Sequence, residues 1–395
     1  MSRVVAGPLS AQILADMGAD VIKVERLQIG DDVRSLGPPW LNAFDGTPTD
    51  QSTYFQSVNR GKRSICIDFT KPRGADLIRG LASSADVLVE NLRTGTLGKY
   101  GLDYAALSEI NPRLIYCSVT GFGQTGPYAD RSGYDYLAQA MGGQMAVTGI
   151  ADGEPGAGPL RVGIPVTDIA AGMNAVIGIL GALFHRQHSG RGQHIDVSLL
   201  DCQVAMLLNP MAAWLNGRTE IPRLGNDHSS AVPYGVFPCA DGHVLIATFN
   251  DREFARLSEA LGHAQWSGDP HFLRSRDRVT NRLKLVEQMS AVLRQRSKAH
   301  WIEQLNNAKI SCGPINSMAD IETDPQIAAR EMIVSLPHAV AGQVRMVGNP
   351  VKWSATPVAY RRPPPLTGEH TVEILRDRLG LNEQAINSLS AEGVL

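Results

Sequence analysis

The sequence predicts an α/β protein in which a doubly wound parallel sheet forms a large domain, with a smaller α+β domain inserted. Helical and strand patterns alternate through the first half of the chain, which is typical of a parallel sheet with crossover helices. The length of 395 residues exceeds what one hydrophobic core usually supports. Beyond Gly225 the alternation gives way to one strand pattern followed by several helical ones. A second, smaller domain is therefore expected in that region.

The alternation begins close to the first residue. Residues 10–17 carry apolar side chains at helical spacing, and Gly18 stops the pattern as a C-terminal glycine does. The apolar run at 20–25 then predicts a buried strand. The cycle recurs as helix, strand, helix and strand over residues 74–83, 86–90, 104–110 and 113–119.

The remaining elements define the predicted domain boundaries. A loop-rich stretch at 121–166 precedes a long apolar helix that starts near Ile169, and a strand and a helix follow at 194–198 and 199–216. Further on we predict a strand at 243–249 and helices at 252–261, 282–294 and 299–307. The large domain is assigned residues 1–200 and 325–395, the small domain 225–310, and linkers 201–224 and 311–324.

Composition and charge exclude several classes of partner. The formal net charge is −2 and no long run of Lys or Arg occurs, which argues against nucleic acid and anionic membranes. Five scattered cysteines form no CxxC pair, as expected for reduced thiols in the cytoplasm. The apolar stretch from Ile169 to Phe184 contains Asn174 and is short for a membrane span, so a buried helix is predicted.

Two motifs suggest cofactors that the surrounding sequence does not support. Gly121 to Gly126 reads GxGxxG after a strand, but Pro127 follows, no amphipathic helix comes next, and no second strand ends in an acidic residue about 20 positions on. We therefore predict no nicotinamide cofactor. Three histidines cluster without the spacing of a zinc site, so we predict surface histidines and no metal; they are His185, His188 and His194.

Short segments spread over the whole chain carry a family resemblance. They are Val5-Ala-Gly-Pro8, Gly18-Ala-Asp-Val-Ile-Lys-Val-Glu-Arg26, Asn59-Arg-Gly-Lys-Arg-Ser64, Asp86-Val-Leu-Val-Glu-Asn-Leu-Arg93, Ile110-Asn-Pro-Arg-Leu-Ile115, Gly133-Tyr-Asp135, Gly190-Arg-Gly-Gln193, Asp196-Val-Ser-Leu-Leu-Asp201, Pro233-Tyr234, Gly348-Asn-Pro350 and Gly368-Glu-His370. In this order the chain resembles the class III CoA-transferases, which include formyl-CoA and carnitine CoA-transferases. The resemblance implies a Rossmann-like CoA-binding domain, a small domain, an interlocked homodimer, and acyl-CoA and a free carboxylic acid as substrates.

Asp168 is the position that matches the family's covalent nucleophile. Read locally, an Asp in the first turn of a helix is a common cap that needs no catalytic role. The resemblance implies that its carboxylate forms a mixed anhydride with the acyl group and then an aspartyl-CoA thioester. We expect the start of the helix to keep this carboxylate ionised and to stabilise an oxyanion.

The resemblance also implies a set of CoA-contacting positions. They are Val5, Ala6, Arg26, Lys71, Asn91, Leu92, Arg93, Lys99 and Tyr134. Arg26 stands at the end of a predicted buried parallel strand, where ligand sites of α/β sheets lie. An ordinary solvated surface charge explains Lys71 and Lys99 equally well. Tyr134 either shapes the acyl pocket or is a buried residue that supports its loop.

Two other functions remain open on the same fold. α-Methylacyl-CoA racemases use a His in a Gly-His-Asp motif as one of two bases, but Tyr134 occupies that position here, and a tyrosine is a poor base at neutral pH. A non-catalytic CoA-binding protein is the second alternative, and retention of Asp168 argues against it.

The chain departs from the family pattern at two places. Members usually begin with a further strand just before the Val-Ala-Gly-Pro turn, so we expect upstream residues to raise the melting temperature when they are added. The glycine-rich lid of formyl-CoA transferases has no counterpart, and residues 225–234 stand near its expected place. Oxalate and formate are therefore not the expected substrates.

Overall fold

The computed structural model describes all residues from Met1 to Leu395. Its strands are β1 (Val21–Glu25), β2 (Trp40–Asn42), β3 (Pro48–Ser52), β4 (Lys62–Cys66), β5 (Val87–Glu90), β6 (Ile115–Thr120), β7 (Gly149–Ile150), β8 (Gly158–Pro159), β9 (His194–Ser198), β10 (Tyr234–Cys239), β11 (Gly242–Ala247), β12 (Ser311–Pro314), β13 (Ile333–His338) and β14 (Gly342–Val347). Its α-helices are α1 (Ala6–Asp16), α2 (Thr53–Ser57), α3 (Pro72–Ser84), α4 (Tyr104–Ile110), α5 (Asp135–Met141), α6 (Gln144–Val147), α7 (Val166–Ser189), α8 (Leu199–Met206), α9 (Leu208–Gly217), α10 (Asp251–Ala260), α11 (Ser275–Thr280), α12 (Arg282–Leu293), α13 (Lys298–Asn307), α14 (Met318–Thr323), α15 (Pro325–Ala329), α16 (Thr371–Leu379) and α17 (Glu383–Ala391).

The chain divides into two compact units. The first unit contains Met1–Gln144, Arg161–Leu208 and Gln326–Leu395, and the second contains Met145–Leu160 and Asn209–Pro325. The second unit is larger than the predicted small domain. It also includes the β7–β8 hairpin. Strand β12, which falls in the predicted linker 311–324, belongs to this unit as well, because it pairs antiparallel with β11.

Parallel strands form two separate segments in the first unit. β1 pairs with β4, while β6 lies between β5 and β9, all in parallel register. The sequence predicted an α/β fold with a parallel sheet, and the structure is mixed α/β with these parallel segments. The first residues contact both segments: the amino group of Met1 donates to the carbonyl of Val89 (3.0 Å), and Lys23 Nζ donates to the carbonyl of Ser2 (3.0 Å).

Helices cover both faces of the β5–β6–β9 segment. On one face, α3, α4, α16 and α17 contribute side chains such as Leu77, Leu107, Ile374 and Ile386 to a shared apolar core. On the other face, α1 and α7 pack against the strands through small residues. Alanines on α7 bring its backbone close to the sheet, and this packing places the first turn of α7 next to α1.

The second unit has its own core. β10, β11 and β12 form an antiparallel sheet, and α10, α12 and α13 cover it with fully buried side chains such as Leu257, Leu285 and Leu305. The predicted helix at 199–216 is divided into α8 and α9. Pro210 cannot donate to the carbonyl of Met206 and its ring would clash there, so α8 ends at Met206.

One helix, α7, is long and apolar enough to cross a membrane by length and composition alone. Its inner face is buried against the first unit through Ala171, Ala175 and Ile179. Its outer face exposes apolar side chains at intervals of four, three and four residues, namely Met173, Ile177, Leu180 and Phe184. The helix is therefore a core helix on one side and an uncovered apolar surface on the other.

Candidate active site

Asp168 is the third residue of α7 and lies in its first turn. The residue before the helix, Pro165, provides no side-chain cap. The Asp168 side chain makes no capping hydrogen bond either, so the local interpretation of this residue as a helix cap is wrong. Its carboxylate is half-buried and has no hydrogen-bond partner in the chain.

Asp135, from α5, caps α7 in place of a local residue. Its buried carboxylate accepts the backbone N–H of Thr167 (2.8 Å) and that of Asp168 (3.2 Å). These are the orphan donors that any helix presents at its start. Because Asp135 occupies them, the positive end of the helix acts on Asp135 more than on the neighbouring Asp168 carboxylate.

The pKa of Asp168 is raised to about 7 by burial and by the negative charge of Asp135. The expectation that the helix start keeps Asp168 ionised is therefore wrong for the free protein. The physical reason is that Asp135 uses the N–H groups and adds a like charge beside Asp168. A carboxylate with a pKa near 7 is a stronger nucleophile than an ordinary aspartate, provided that it is deprotonated.

A buried polar network holds this arrangement in place. Gln139, one turn beyond Asp135 on α5, donates from Nε2 to the Asp135 carboxylate (2.6 Å) and accepts the N–H of Val162 (2.9 Å). The Thr167 hydroxyl donates to Gln203 Oε1 on α8 (2.8 Å). Side chains from α5 and α8 and the backbone before α7 thus converge on the first turn of α7.

Tyr54, on α2, faces the same pair of carboxylates. Burial and the negative charges of Asp168 and Asp135 raise the pKa of its hydroxyl group. The phenol therefore stays protonated and can donate a hydrogen bond. No local pattern in the sequence marks Tyr54 as a site residue.

Val5 and Ala6 lie at the start of α1, and both side chains are buried. Helix α1 packs along α7 at Gly172, where a Cβ atom would lie only 2.9 Å from the carbonyl oxygen of Ala6. Gly172 is about one turn beyond Asp168. The structure therefore places Val5 and Ala6 beside the beginning of the helix that carries Asp168.

A buried charge network fixes the turn before α1. Lys23 Nζ pairs with the Asp31 carboxylate (2.7 Å), and both side chains are almost fully buried. Asp31 also accepts the backbone N–H of Val4 (3.0 Å), whose φ of +66° is unfavourable for a β-branched residue. The network compensates for this strain and orients the chain that leads into Val5.

Arg26 and Asn91 are brought together by two further residues, Arg3 and Asp32. The N–H of Arg3 donates to Asn91 Oδ1 (2.8 Å), and Asn91 Nδ2 donates to the Arg3 carbonyl (2.7 Å). Arg3 pairs with the Asp32 carboxylate at 2.7 Å, and Arg26 pairs with its other oxygen. Two half-exposed guanidinium groups therefore lie beyond the carboxyl ends of β1 and β5, where ligands of α/β sheets bind.

Arg93 and Leu92 lie on the loop that follows β5. Arg93 lines a cavity of about 360 Å³ together with Glu90, Ser118 and His194. Leu92 is half-buried, and its N–H donates to the Glu90 carboxylate (2.8 Å). Glu90 is itself buried, which raises its pKa.

Lys71, Lys99 and Tyr134 stand apart from these contacts. Lys71 donates to the carbonyl oxygens of Glu392 (2.5 Å) and Gly393 (2.9 Å), so it neutralises the C-terminal end of α17. Lys99 is exposed in the last turn of a 3-10 helix. Tyr134 is 69% exposed, so the interpretation of this residue as a buried support for its loop is wrong.

The glycine-rich motif has a structural explanation. Gly121 packs against Gly133, and a Cβ atom on Gly121 would lie 2.4 Å from the Gly133 Cα atom. The first helix after the motif is α5, which begins only at Asp135. The glycines therefore allow two backbone segments to cross, and no helix start follows them directly.

The histidine cluster is dispersed in the structure. His194 shares a hydrogen bond with the Ser118 hydroxyl (2.9 Å) and stacks on Tyr104, whereas His188 bonds to the carbonyl of Phe184 within α7. No group of three or more His, Cys, Asp or Glu side chains is arranged to hold a metal ion.

Sequence reasoning missed several residues of this site. Gln139 is one of them; it stands four positions beyond Asp135 on one helical face, a spacing that could have indicated their contact. Arg3 and Tyr54 carry no such signal because their partners are distant in sequence.

Comparisons with known proteins identify the family. The model of CoA-transferase family III matches residues 1–371. The chain is 43% identical over 378 residues to the succinate–glutarate CoA-transferase of Agrobacterium fabrum, covering 95% of this chain and 93% of the relative. It is 40% identical over 395 residues to the succinyl-CoA:glutarate CoA-transferase of Mus musculus, covering 100% and 88%. The crystal structure of a CAIB/BAIF family protein from Brucella suis matches with a TM-score of 0.84 at 39% identity, covering 96% and 97%.

The chain belongs to CoA-transferase family III. It is a class III CoA-transferase, an enzyme that takes an acyl-CoA as a substrate. The predicted family resemblance and the predicted class of activity are confirmed.

Proposed function

We propose that the protein transfers CoA from an acyl-CoA donor to a free carboxylic acid through covalent intermediates on Asp168. The carboxylate attacks the thioester carbonyl and the carbon–sulfur bond breaks, so CoA leaves as a thiolate and a mixed anhydride remains on Asp168. The thiolate then attacks the Asp168 carbonyl carbon, which releases the donor acid and leaves an aspartyl-CoA thioester. The acceptor carboxylate then attacks this thioester, which releases CoA thiolate and forms a second mixed anhydride on Asp168. The thiolate attacks the acyl carbonyl carbon of that anhydride, so the new acyl-CoA departs and the Asp168 carboxylate is restored.

The single observation that carries this mechanism is the unpartnered carboxylate of Asp168. A carboxylate bound by several N–H groups is stabilised as an anion and is a weak nucleophile. Asp135 takes the N–H groups of the first turn, and the lone pairs of Asp168 stay available. The half-buried position also limits the access of water that would hydrolyse an anhydride.

The CoA phosphates are proposed to bind beyond the carboxyl ends of β1 and β5. Arg3 and Arg26 supply guanidinium groups there, and Asn91 holds the backbone of Arg3 in place. Val5 and Ala6 lie between this cluster and Asp168, along the path of the pantetheine arm. Contacts of CoA with Lys71, Leu92, Arg93, Lys99 and Tyr134 stay predictions.

Trapping the covalent intermediate tests the mechanism. Wild-type protein incubated with an acyl-CoA and hydroxylamine should carry a modified Asp168 in peptide mass spectrometry. Asp168→Ala should lose both the adduct and turnover, at least about 1,000-fold for a nucleophile, and should bind CoA with unchanged affinity in calorimetry. Arg26→Gln is the matched variant, which should weaken CoA binding and keep the adduct. An adduct that persists in Asp168→Ala contradicts the proposal.

Dicarboxylic acids are the proposed substrates. The two relatives at 43% and 40% identity are named for succinate or succinyl-CoA and glutarate. We therefore propose that succinyl-CoA is a donor and glutarate an acceptor, with oxalate and formate disfavoured. Equal kcat/KM values for oxalate and glutarate would contradict this assignment.

We also propose that the protein is a homodimer, with the outer face of α7 at its interface. Four apolar side chains on that face are 43–66% exposed in the single chain. An apolar stripe of this kind commonly marks a protein interface. The interlocked arrangement that the family resemblance implies stays a prediction.

A cytoplasmic location is proposed from the thiol chemistry. All five cysteines are free, and four of them are buried. Burial and the charges of Glu90 and Asp196 raise the pKa of Cys117 to about 12, so this thiol stays protonated at neutral pH. Cell fractionation with detection of the native protein tests the location, and recovery from an oxidising compartment would contradict it.

A further inference from the structure

Arg161 lies on the segment that leads into the helix of the proposed nucleophile. The next residue, Val162, donates its N–H to Gln139 Oε1 (2.9 Å). Gln139 in turn bonds to Asp135, which caps the N–H groups of Thr167 and Asp168. Three successive hydrogen bonds thus connect the Arg161 segment to the first turn of α7.

The Arg161 guanidinium has a defined position and an open binding edge. Its central carbon lies 4.2 Å from the centroid of the Tyr136 ring, the neighbour of Asp135. Its one hydrogen bond goes from Nη1 to the carbonyl of Val162 (3.1 Å), and it forms no ion pair. Stacking on an aromatic ring leaves the edge of a planar guanidinium free for bidentate contact with a carboxylate.

The charges around Asp168 make a cation necessary for a dicarboxylic acid. Asp168 and Asp135 are both carboxylates, and a substrate with a second carboxylate brings another negative charge. Like charges in a partly buried site repel one another more strongly than in water, and a nearby cation offsets this repulsion. A substrate with a terminal methyl group has no such cost and needs no cation.

We propose that Arg161 binds the distal carboxylate of a dicarboxylic acid while its proximal carboxyl group reacts at Asp168. Arg161 is then the residue that selects dicarboxylic over monocarboxylic acyl groups. This inference rests on the proposed function of Asp168. It assigns the acid side of the site to the segment before α7, while Val5 and Ala6, proposed to contact CoA, lie at the start of α1.

Paired donors of equal chain length test the proposal. In a double-displacement reaction, the kcat/KM of a donor reports its own half-reaction, so succinyl-CoA and butyryl-CoA are compared at one acceptor concentration. Arg161→Gln should lower kcat/KM for succinyl-CoA about 30-fold, the range for a charge-assisted hydrogen bond, and leave butyryl-CoA within about 3-fold. Arg161→Lys should recover part of the loss, since it keeps the charge without the fork.

Arg218→Gln is the matched control. Arg218 is also exposed, forms no ion pair and lies over an aromatic ring, that of Trp214, at 5.6 Å, but it belongs to the second unit. Both donors should keep wild-type values in this variant. An equal loss for both donors in Arg161→Gln, or no loss for succinyl-CoA, overturns the proposal. Failure of the covalent mechanism is seen separately, as a missing Asp168 adduct in the wild-type protein.

Discussion

Two carboxylates share the first turn of α7, and their different environments separate their roles. Asp135 is buried and accepts two backbone N–H groups and one amide N–H group. Asp168 is half-buried, accepts none, and has a pKa of about 7. In pairs of this kind, hydrogen bonding and like charge give two neighbouring carboxyl groups different pKa values. This is a common way to obtain one reactive group at neutral pH.

The pH dependence of the reaction follows from this pKa. Asp168 must be ionised to attack, so kcat/KM for the acyl-CoA should fall about tenfold per pH unit below an apparent pKa near 7. Asp135→Asn removes the like charge and should move this acidic limb to lower pH. Asp152→Asn, at an exposed carboxylate in the second unit, is the control and should leave it in place. A pH-independent kcat/KM between pH 5 and 8 would contradict the assignment.

Asp168 also has a consequence for stability. Its folded-state pKa lies above the unfolded value of 3.8, so the folded protein holds this proton more tightly. The stabilising contribution of this group to folding is fully present below pH 4. It is lost as the pH rises from 4 to 7, and it stays absent above pH 7. Asp168→Asn should therefore raise the free energy of unfolding by about 1–2 kcal/mol at pH 8 and change it little at pH 4, measured with urea. Equal effects at both pH values would contradict the raised pKa.

At the scale of elements, the contact between α1 and α7 joins the two halves of the proposed site. The helices meet where Gly172 leaves no room for a side chain against the Ala6 carbonyl. The same helix contains Gly181, where an added Cβ atom would contact nothing within 4 Å. The two glycines therefore form a natural comparison within one helix.

Substitution of these glycines should have opposite effects on stability. Gly172→Ala forces α1 away from α7 and should lower the free energy of unfolding by about 1–3 kcal/mol, with weaker CoA binding because Val5 and Ala6 move. Gly181→Ala should raise it by up to about 1 kcal/mol, since alanine favours a helix over glycine and the added Cβ atom meets no atom of its own chain within 4 Å. Urea unfolding and CoA titration of both variants provide the measurement. A neutral Gly172→Ala variant would show that the close contact is not required.

At the scale of the molecule, the apolar outer face of α7 connects the site helix to assembly. The helix that carries Asp168 buries one face in the first unit and exposes Ile177 and Phe184, each 66% accessible, on the other. A second subunit that covers this face would stabilise the helix of the nucleophile. Assembly and activity are then expected to depend on each other.

Sedimentation measurements test that dependence. The wild-type protein should sediment at twice the protomer mass of 42.6 kDa. Ile177→Asp should weaken the dimer, because it places a charge in an apolar contact. Leu283→Asp, at a side chain that is 84% exposed in the second unit, should keep the wild-type mass. A monomeric wild-type protein would remove α7 as an interface.

Local patterns in the sequence determined most of the elements that carry the site. Periodicity and a terminal glycine placed α1 and β1 within a few residues, and motifs along the chain identified the family and pointed to Asp168. Such signals depend on neighbouring residues, and a chain retains them before it folds. β4 was missed because its buried Lys62 and Arg63 read as polar, and only tertiary contacts show that both are satisfied.

Tertiary structure alone decided the electrostatics around Asp168. Asp135 is 33 residues away along the chain from Asp168, and Tyr54 is farther still, so no spacing rule links them. Asp135 and Asp168 are close because α5 packs against α7, and Tyr54 on α2 is near enough for both charges to raise its pKa. A pKa depends on burial and on charges that are close in space, and the sequence by itself therefore led to an ionised Asp168 where the folded protein has a carboxyl group poised near neutral pH.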